Sequence, residues 1–116
     1  MYKVTMYTTD NGNSPVADFI ESAVEKYPND LSKIHTHVKA LETYGFRISD
    51  MISNSLRKLQ DNLYELRPGR IRILLSYHSK TQEFVLLHAF RKNTGKTPKK
   101  DLDVAIKRLK DYNTNV

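Results

Sequence analysis

The chain has 116 residues and no cysteine, with 39% apolar and 28% charged residues and a net charge of +6. That length suits one core, residues 1–116 as a single domain, and the composition excludes disorder as the default. The lack of cysteine excludes disulfide frameworks, thiolate zinc sites and cysteine nucleophiles together.

Residues 2–8 alternate Tyr, Val, Thr and Met, which predicts a first strand, and Asp10-Asn11-Gly12-Asn13 supplies turn chemistry after it. Ser14 can cap a helix with Pro15 at its first position, and Val16, Phe19, Ile20, Ala23, Val24 and Tyr27 recur at helical spacing until Pro28. Asn29 or Asp30 is expected to cap a second helix, buried through Leu31, Ile34, Val38, Leu41 and Tyr44 and stopped by Gly45. Residues 46–62 read as an irregular connection with a short helix, because Ser49, Ser53, Asn54 and Ser55 interrupt the apolar spacing. From Leu63 the pattern becomes strand, turn, strand, turn, strand: LYELR, Pro68-Gly69, RIRILLSYH, Lys80-Thr81, FVLLHAFRK. After a loop at 93–97, Thr97-Pro98 is expected to cap a final helix with Leu102, Ala105, Ile106, Leu109 and Tyr112 on one stripe. The order predicts an α+β domain, β-α-α-β-β-β-α, with a small antiparallel-rich sheet, an N-terminal helical hairpin and a C-terminal helix.

Charge is uneven along this order. Residues 1–50 carry 5 Lys and Arg against 7 Asp and Glu, whereas residues 51–116 carry 14 against 6. A polyanion-binding face has this footprint, and so does a solvated basic face or a surface for an acidic protein. No signal pattern or bilayer-length apolar run is present, so a soluble cytoplasmic protein is expected.

Several chemistries find no support. His35 and His37 are two apart on a helix and read as solvated; His78 and His88 could approach across a hairpin but lack a third ligand, so no metal is expected. Gly95-Lys96-Thr97 lies between strand and helix as in a phosphate-binding P-loop, yet Phe90 stands where that motif needs its first glycine and Pro98 removes an amide donor. No nucleophile elbow or paired carboxylates point to ester or glycoside hydrolysis.

The strand cations remain. Arg70 and Arg72 share parity with Leu74 and Ser76, leaving Ile71, Ile73, Leu75 and Tyr77 for the opposite face. On the next strand Leu86, His88, Phe90 and Lys92 alternate with Val85, Leu87, Ala89 and Arg91. If Lys92 and Arg72 face the same way, a cationic, aromatic-edged concavity forms, with Arg67 beside it and Lys96 and Lys99 above. An ordinary solvated strand end fits the same residues.

The LYELR, RIRILL, LLHAF-RK and GKTP stretches, within residues 56–112, resemble the phage-derived Gp49-like branch of the RelE/HigB toxins in the RelE/ParE superfamily. That resemblance implies a RelE-like fold and a type II toxin that acts as a ribosome-dependent mRNA endoribonuclease. It implies no cofactor, a metal-free attack of the RNA 2′-hydroxyl on the adjacent phosphorus, and a cognate helix-turn-helix, HigA-like antitoxin as partner. Carried over by position, Arg72 matches the phosphate-stabilising arginine, Lys92 a second cation and Arg67 the basic end of LYELR; His88 is the candidate proton carrier. Arg70, Arg91, Lys96, Lys99 and Phe90 are candidates for RNA contact. The C-terminal tail DYNTNV departs from relatives that end in a functional Tyr or a His and Asp cluster, so the general base is unassigned. A non-catalytic protein of the same fold, binding RNA or a regulatory partner, is the alternative, and a phage structural protein a third.

Overall fold

A computed structural model describes residues 1–93 and 95–115; Thr94 in the predicted 93–97 loop and Val116 of the tail lie outside the described residues. Strand β1 (Lys3–Met6) is followed by helices α1 (Pro15–Lys26) and α2 (Pro28–Tyr44). A 3-10 turn at Gly45–Arg47 leads into the short helix α3 (Ile48–Met51). Strands β2 (Leu56–Gln60), β3 (Leu63–Leu66), β4 (Ile71–His78) and β5 (Glu83–Arg91) then precede helix α4 (Lys99–Thr114).

The strands form one sheet in the order β1-β5-β4-β3-β2. Consecutive strands β2 to β5 pair antiparallel, as short turns require, and β1 adds parallel to β5 after the helical hairpin. One face, with Ile71, Ile73, Leu75, Phe84 and Leu86, packs on Val16, Ile34 and Leu41 of α1 and α2. The other, with Leu63, Leu74, Val85 and Leu87, packs on Ala105 and its neighbours in α4. Each fully buried Leu or Ile contributes about 1.5–3 kcal/mol, and β4 and β5 are covered on both faces.

Local chemistry explains most of these boundaries. Ser14 Oγ accepts from the Ala17 N–H at 3.4 Å, Pro15 begins α1, and Gly45 (φ 56°) ends α2. Three local expectations change. Helix α2 begins at Pro28 with no side-chain cap, so neither Asn29 nor Asp30 caps it. His37 is buried, its Nδ1 2.8 Å from the Lys33 carbonyl, while Tyr44 is exposed. Pro98, not Thr97, precedes α4, and it offers no side-chain cap.

The 46–62 connection holds the expected short helix and also an unexpected edge strand, β2. Asn62 takes the left-handed conformation (φ 49°) that closes the β2–β3 hairpin, and its Oδ1 accepts from the Tyr77 N–H at 2.9 Å. A bulge changes the register of β5. Leu74 pairs with His88 but Leu75 pairs with Leu86, leaving Leu87 as the extra residue. Strict alternation therefore fails: Leu86 lies on the α1–α2 face, whereas His88 and Phe90 face α4.

Candidate nucleic-acid interface

The register assembles one row of side chains across the α4 face: Arg57 opposite Glu65, Glu65 opposite Leu74, and Leu74 opposite His88. One step toward the sheet end, Arg72 stands opposite Phe90. Arg67 follows β3 there, its N–H donating to the Ser55 carbonyl at 2.8 Å. The Lys92 N–H donates to the Arg70 carbonyl at 2.8 Å, and two residues beyond Phe90 Lys92 returns to the Arg72 side. Helix α4 begins only at Lys99, so its first turn overlies the His88 row.

Glu65 organises the cations. It is buried at 2% exposure, and its Oε1 lies 3.5 Å from Arg57 Nη2 and 3.7 Å from Arg67 Nε. Its other oxygen accepts from Thr97 Oγ1 at 2.6 Å. A buried carboxylate needs partners of this kind, because desolvation of an unpaired charge is costly. Arg72 is also buried, and its Nη1 donates to the carbonyls of Gly69 and Ile71, both at 2.8 Å. Burial, and then the neighbouring Arg67 guanidinium, hold Arg72 below the ordinary arginine range while Glu65 opposes them. Arginine stays charged at neutral pH under such a shift. The cluster is therefore three guanidinium groups around one carboxylate, a net positive site beside a half-buried aromatic ring.

His88 is engaged at both nitrogens. Nε2 lies 2.7 Å from Asp101 Oδ1, and Arg108 Nη1 lies 3.2 Å from Nδ1. Arg108 also donates to the Leu87 carbonyl at 2.9 Å. The network fits Nε2–H donating to Asp101 while Nδ1 accepts from Arg108. Phe90 stacks on His88, with ring centres 5.7 Å apart. To reach a substrate the imidazole would have to leave Asp101 or Arg108.

Arg67, Arg72, Phe90 and His88 thus lie toward one face, and alternation beyond Phe90 carries Lys92 to it; Leu86, which strict parity groups with them, is on the other face because of the bulge. Lys99 is exposed and pairs with Asp103 at 3.1 Å, and Lys96 is exposed in the loop before α4. Arg91 is on the opposite face, its guanidinium carbon 5.0 Å from the centre of the Tyr27 ring. Arg70, which strand parity put beside Arg72, lies instead in the β3–β4 turn before β4 begins, where alternation does not hold, and it lines the same cleft as Arg91. Sequence reading missed Arg57, Glu65 and Asp101 as members of the site and the role of Thr97. Arg57 and Glu65 become neighbours only through the β2–β3 register, and Asp101 only through the seating of α4.

Among the described residues no group of His, Asp and Glu could hold a metal ion, and no helix is long and apolar enough to cross a membrane. A model of the family described as phage-derived protein Gp49-like matches residues 26–110, from the end of α1 through most of α4. No curated protein matches the chain significantly.

Proposed function

We propose, from the premise that this chain belongs to the phage-derived Gp49-like family within the RelE/ParE-like toxin superfamily, that it is a ribosome-dependent mRNA endoribonuclease. Proteins of this family are generally toxins of toxin–antitoxin systems, so an antitoxin partner is implied. We assign that role to a helix-turn-helix, HigA-like protein.

The observation that carries the reading is the Arg57, Arg67 and Arg72 cluster around buried Glu65, next to Phe90 at an open sheet end. In the proposed metal-independent step the 2′-hydroxyl oxygen attacks the adjacent phosphorus as a base takes its proton. The bond to the 5′-oxygen breaks, that oxygen receives a proton, and a 2′,3′-cyclic phosphate remains. Negative charge grows on the phosphoryl oxygens, where fixed guanidinium groups lower the barrier. Arg72 and Arg67 are assigned to that charge and Lys92 to the outer phosphate. Phe90 supplies an apolar ring edge for a base, and Lys96 and Lys99 flank the RNA path. His88 is assigned a positioning role, since Asp101 and Arg108 occupy both nitrogens.

The test is cleavage of a defined mRNA in a reconstituted translation reaction, wild type against Arg72→Ala, with one arm lacking ribosomes. Ribosome-dependent cuts that vanish in the variant support the reading. Intact mRNA in every arm with folded protein ends it. One observation favours the alternative, an RNA-binding protein without cleavage: Arg72 Nη1 is already bound to two backbone carbonyls. In that case Arg72→Ala would weaken RNA binding in a salt-dependent way and no product would form.

A further inference from the structure

A second basic cleft, of about 290 Å³, opens on the other face of the same sheet end, between the end of α1, the first turn of α2 and the β3–β4 turn. Lys26, Lys33, Arg70 and Arg91 line it, with Asp30 as the single lining carboxylate. None of the four cations makes an ion pair among the described residues. Arg91 is steered by Tyr27 through a cation–π contact, which sets its position without neutralising it. Like charges gathered around one opening repel one another, and an anion placed among them removes that cost.

Arg70 connects this cleft to the Arg72 cluster. Its carbonyl accepts from the Lys92 N–H at 2.8 Å, and Arg70 is the last residue of the β3–β4 turn, one residue before β4 begins and two before Arg72. We infer that the cleft is a second RNA-backbone site, taking phosphates outside the scissile position so that RNA passes around this end of the sheet. The inference rests on the RNA reading above. An acidic protein segment could neutralise one cleft, but a phosphate backbone carries charge at every nucleotide and can occupy both faces across Arg70.

Lys26 and Lys33 are exposed, so a Lys26→Gln/Lys33→Gln variant leaves the packing intact. The experiment is fluorescence anisotropy of a labelled single-stranded RNA long enough to span both faces, over a range of salt. Wild type, the double variant and Arg72→Ala are compared, with polyglutamate in a parallel arm. The expected result is several-fold weaker RNA binding by the double variant and a salt slope lower by about 1.4, that is ~0.7 per lost contact. Unchanged affinity and slope, while Arg72→Ala still weakens binding, would overturn the second site and leave the RNA reading standing. An absence of salt-dependent RNA binding by wild type would overturn both. Polyglutamate binding tighter than RNA and lost in the double variant would overturn the RNA assignment and give the cleft to an acidic protein.

Discussion

Thr97 Oγ1 donates to Glu65 Oε2 at 2.6 Å, a bond between residues 32 apart that ties the loop before α4 to the middle of β3. Glu65 thereby does two things at once: it offsets the charge of Arg57 and Arg67, and it holds the start of α4 near the cations. Position and charge balance in the cluster depend on the same carboxylate.

Thr97→Val removes the donor but keeps the shape, and a hydrogen bond to a charged group contributes about 1.5–3 kcal/mol. We expect a loss at the lower end of that range, because Glu65 keeps Arg57 and Arg67. Glu65→Ala should cost about 3 kcal/mol, since it leaves guanidinium groups crowded without their counter-charge. Urea denaturation of both variants tests this, and a Thr97→Val protein within about 0.5 kcal/mol of wild type would show that the latch holds nothing.

Arg72 combines a structural and a proposed chemical part, and two substitutions separate them. Arg72→Ala removes both Nη1 bonds, to the Gly69 carbonyl of the β3–β4 turn and to the Ile71 carbonyl at the start of β4, and should cost about 2 kcal/mol. Cleavage should fall by about 10²–10³, the loss seen when one preorganised transition-state donor is removed. Arg72→Lys keeps a positive charge but lacks the planar fork, so it should restore little activity. Single-turnover cleavage with folded protein reads this out; full activity in the lysine variant would reduce Arg72 to a point charge.

The helical hairpin, the meander and α4 were legible because turn residues and helical spacing mark them in sequence. The edge strand β2 was not, since Arg57, Lys58 and Gln60 are exposed and leave it little apolar alternation. Nor was the bulge at Leu87, because Phe84 to Leu87 are apolar and buried and either register satisfies the pattern. Parity linked Phe90 to Lys92, but joining them to Arg72 rested on a condition about cross-strand facing, and Arg67 was added only as the neighbouring strand end. Glu65, Arg57 and Asp101 required cross-strand register and the seating of α4, which a single sequence does not encode locally. Alternation with Phe90 already set Arg91 apart from Lys92 in the sequence, and it does lie on the other side, over the Tyr27 ring of the helical hairpin, a contact that no local pattern encodes.

Asp101 and Arg108 predict a fixed tautomer for His88. With Arg108 donating to Nδ1 and Nε2–H donating to Asp101, Asp101→Ala should free the start of α4 and cost about 2 kcal/mol. Asp101→Asn retains an acceptor oxygen and should recover part of that loss. Nitrogen NMR of His88 should show Nε2 carrying the hydrogen in wild type; a ring with Nδ1–H would refute the assigned network.

Acid should weaken the fold through two histidines outside the basic cluster. Burial pulls His37 below the ordinary histidine value, with its bond to the Lys33 carbonyl opposing, and pulls His78 down likewise against the attraction of Glu83. His78 Nε2 lies 2.9 Å from Ser76 Oγ, and its ring packs on Tyr112 with centres 4.8 Å apart. A lowered folded value means that the unfolded chain binds the proton first. The stabilising contribution is complete above the ordinary value of about 6.5 and is lost progressively as pH falls below it. Urea midpoints should therefore drop between about pH 7 and pH 5, where ordinary carboxylates contribute less. A His37→Gln/His78→Phe variant, which keeps an amide at one position and a ring at the other, should show a flatter profile across that interval. An identical slope in wild type and variant would place the acid sensitivity elsewhere, because no other property of these two side chains changes with pH in that range.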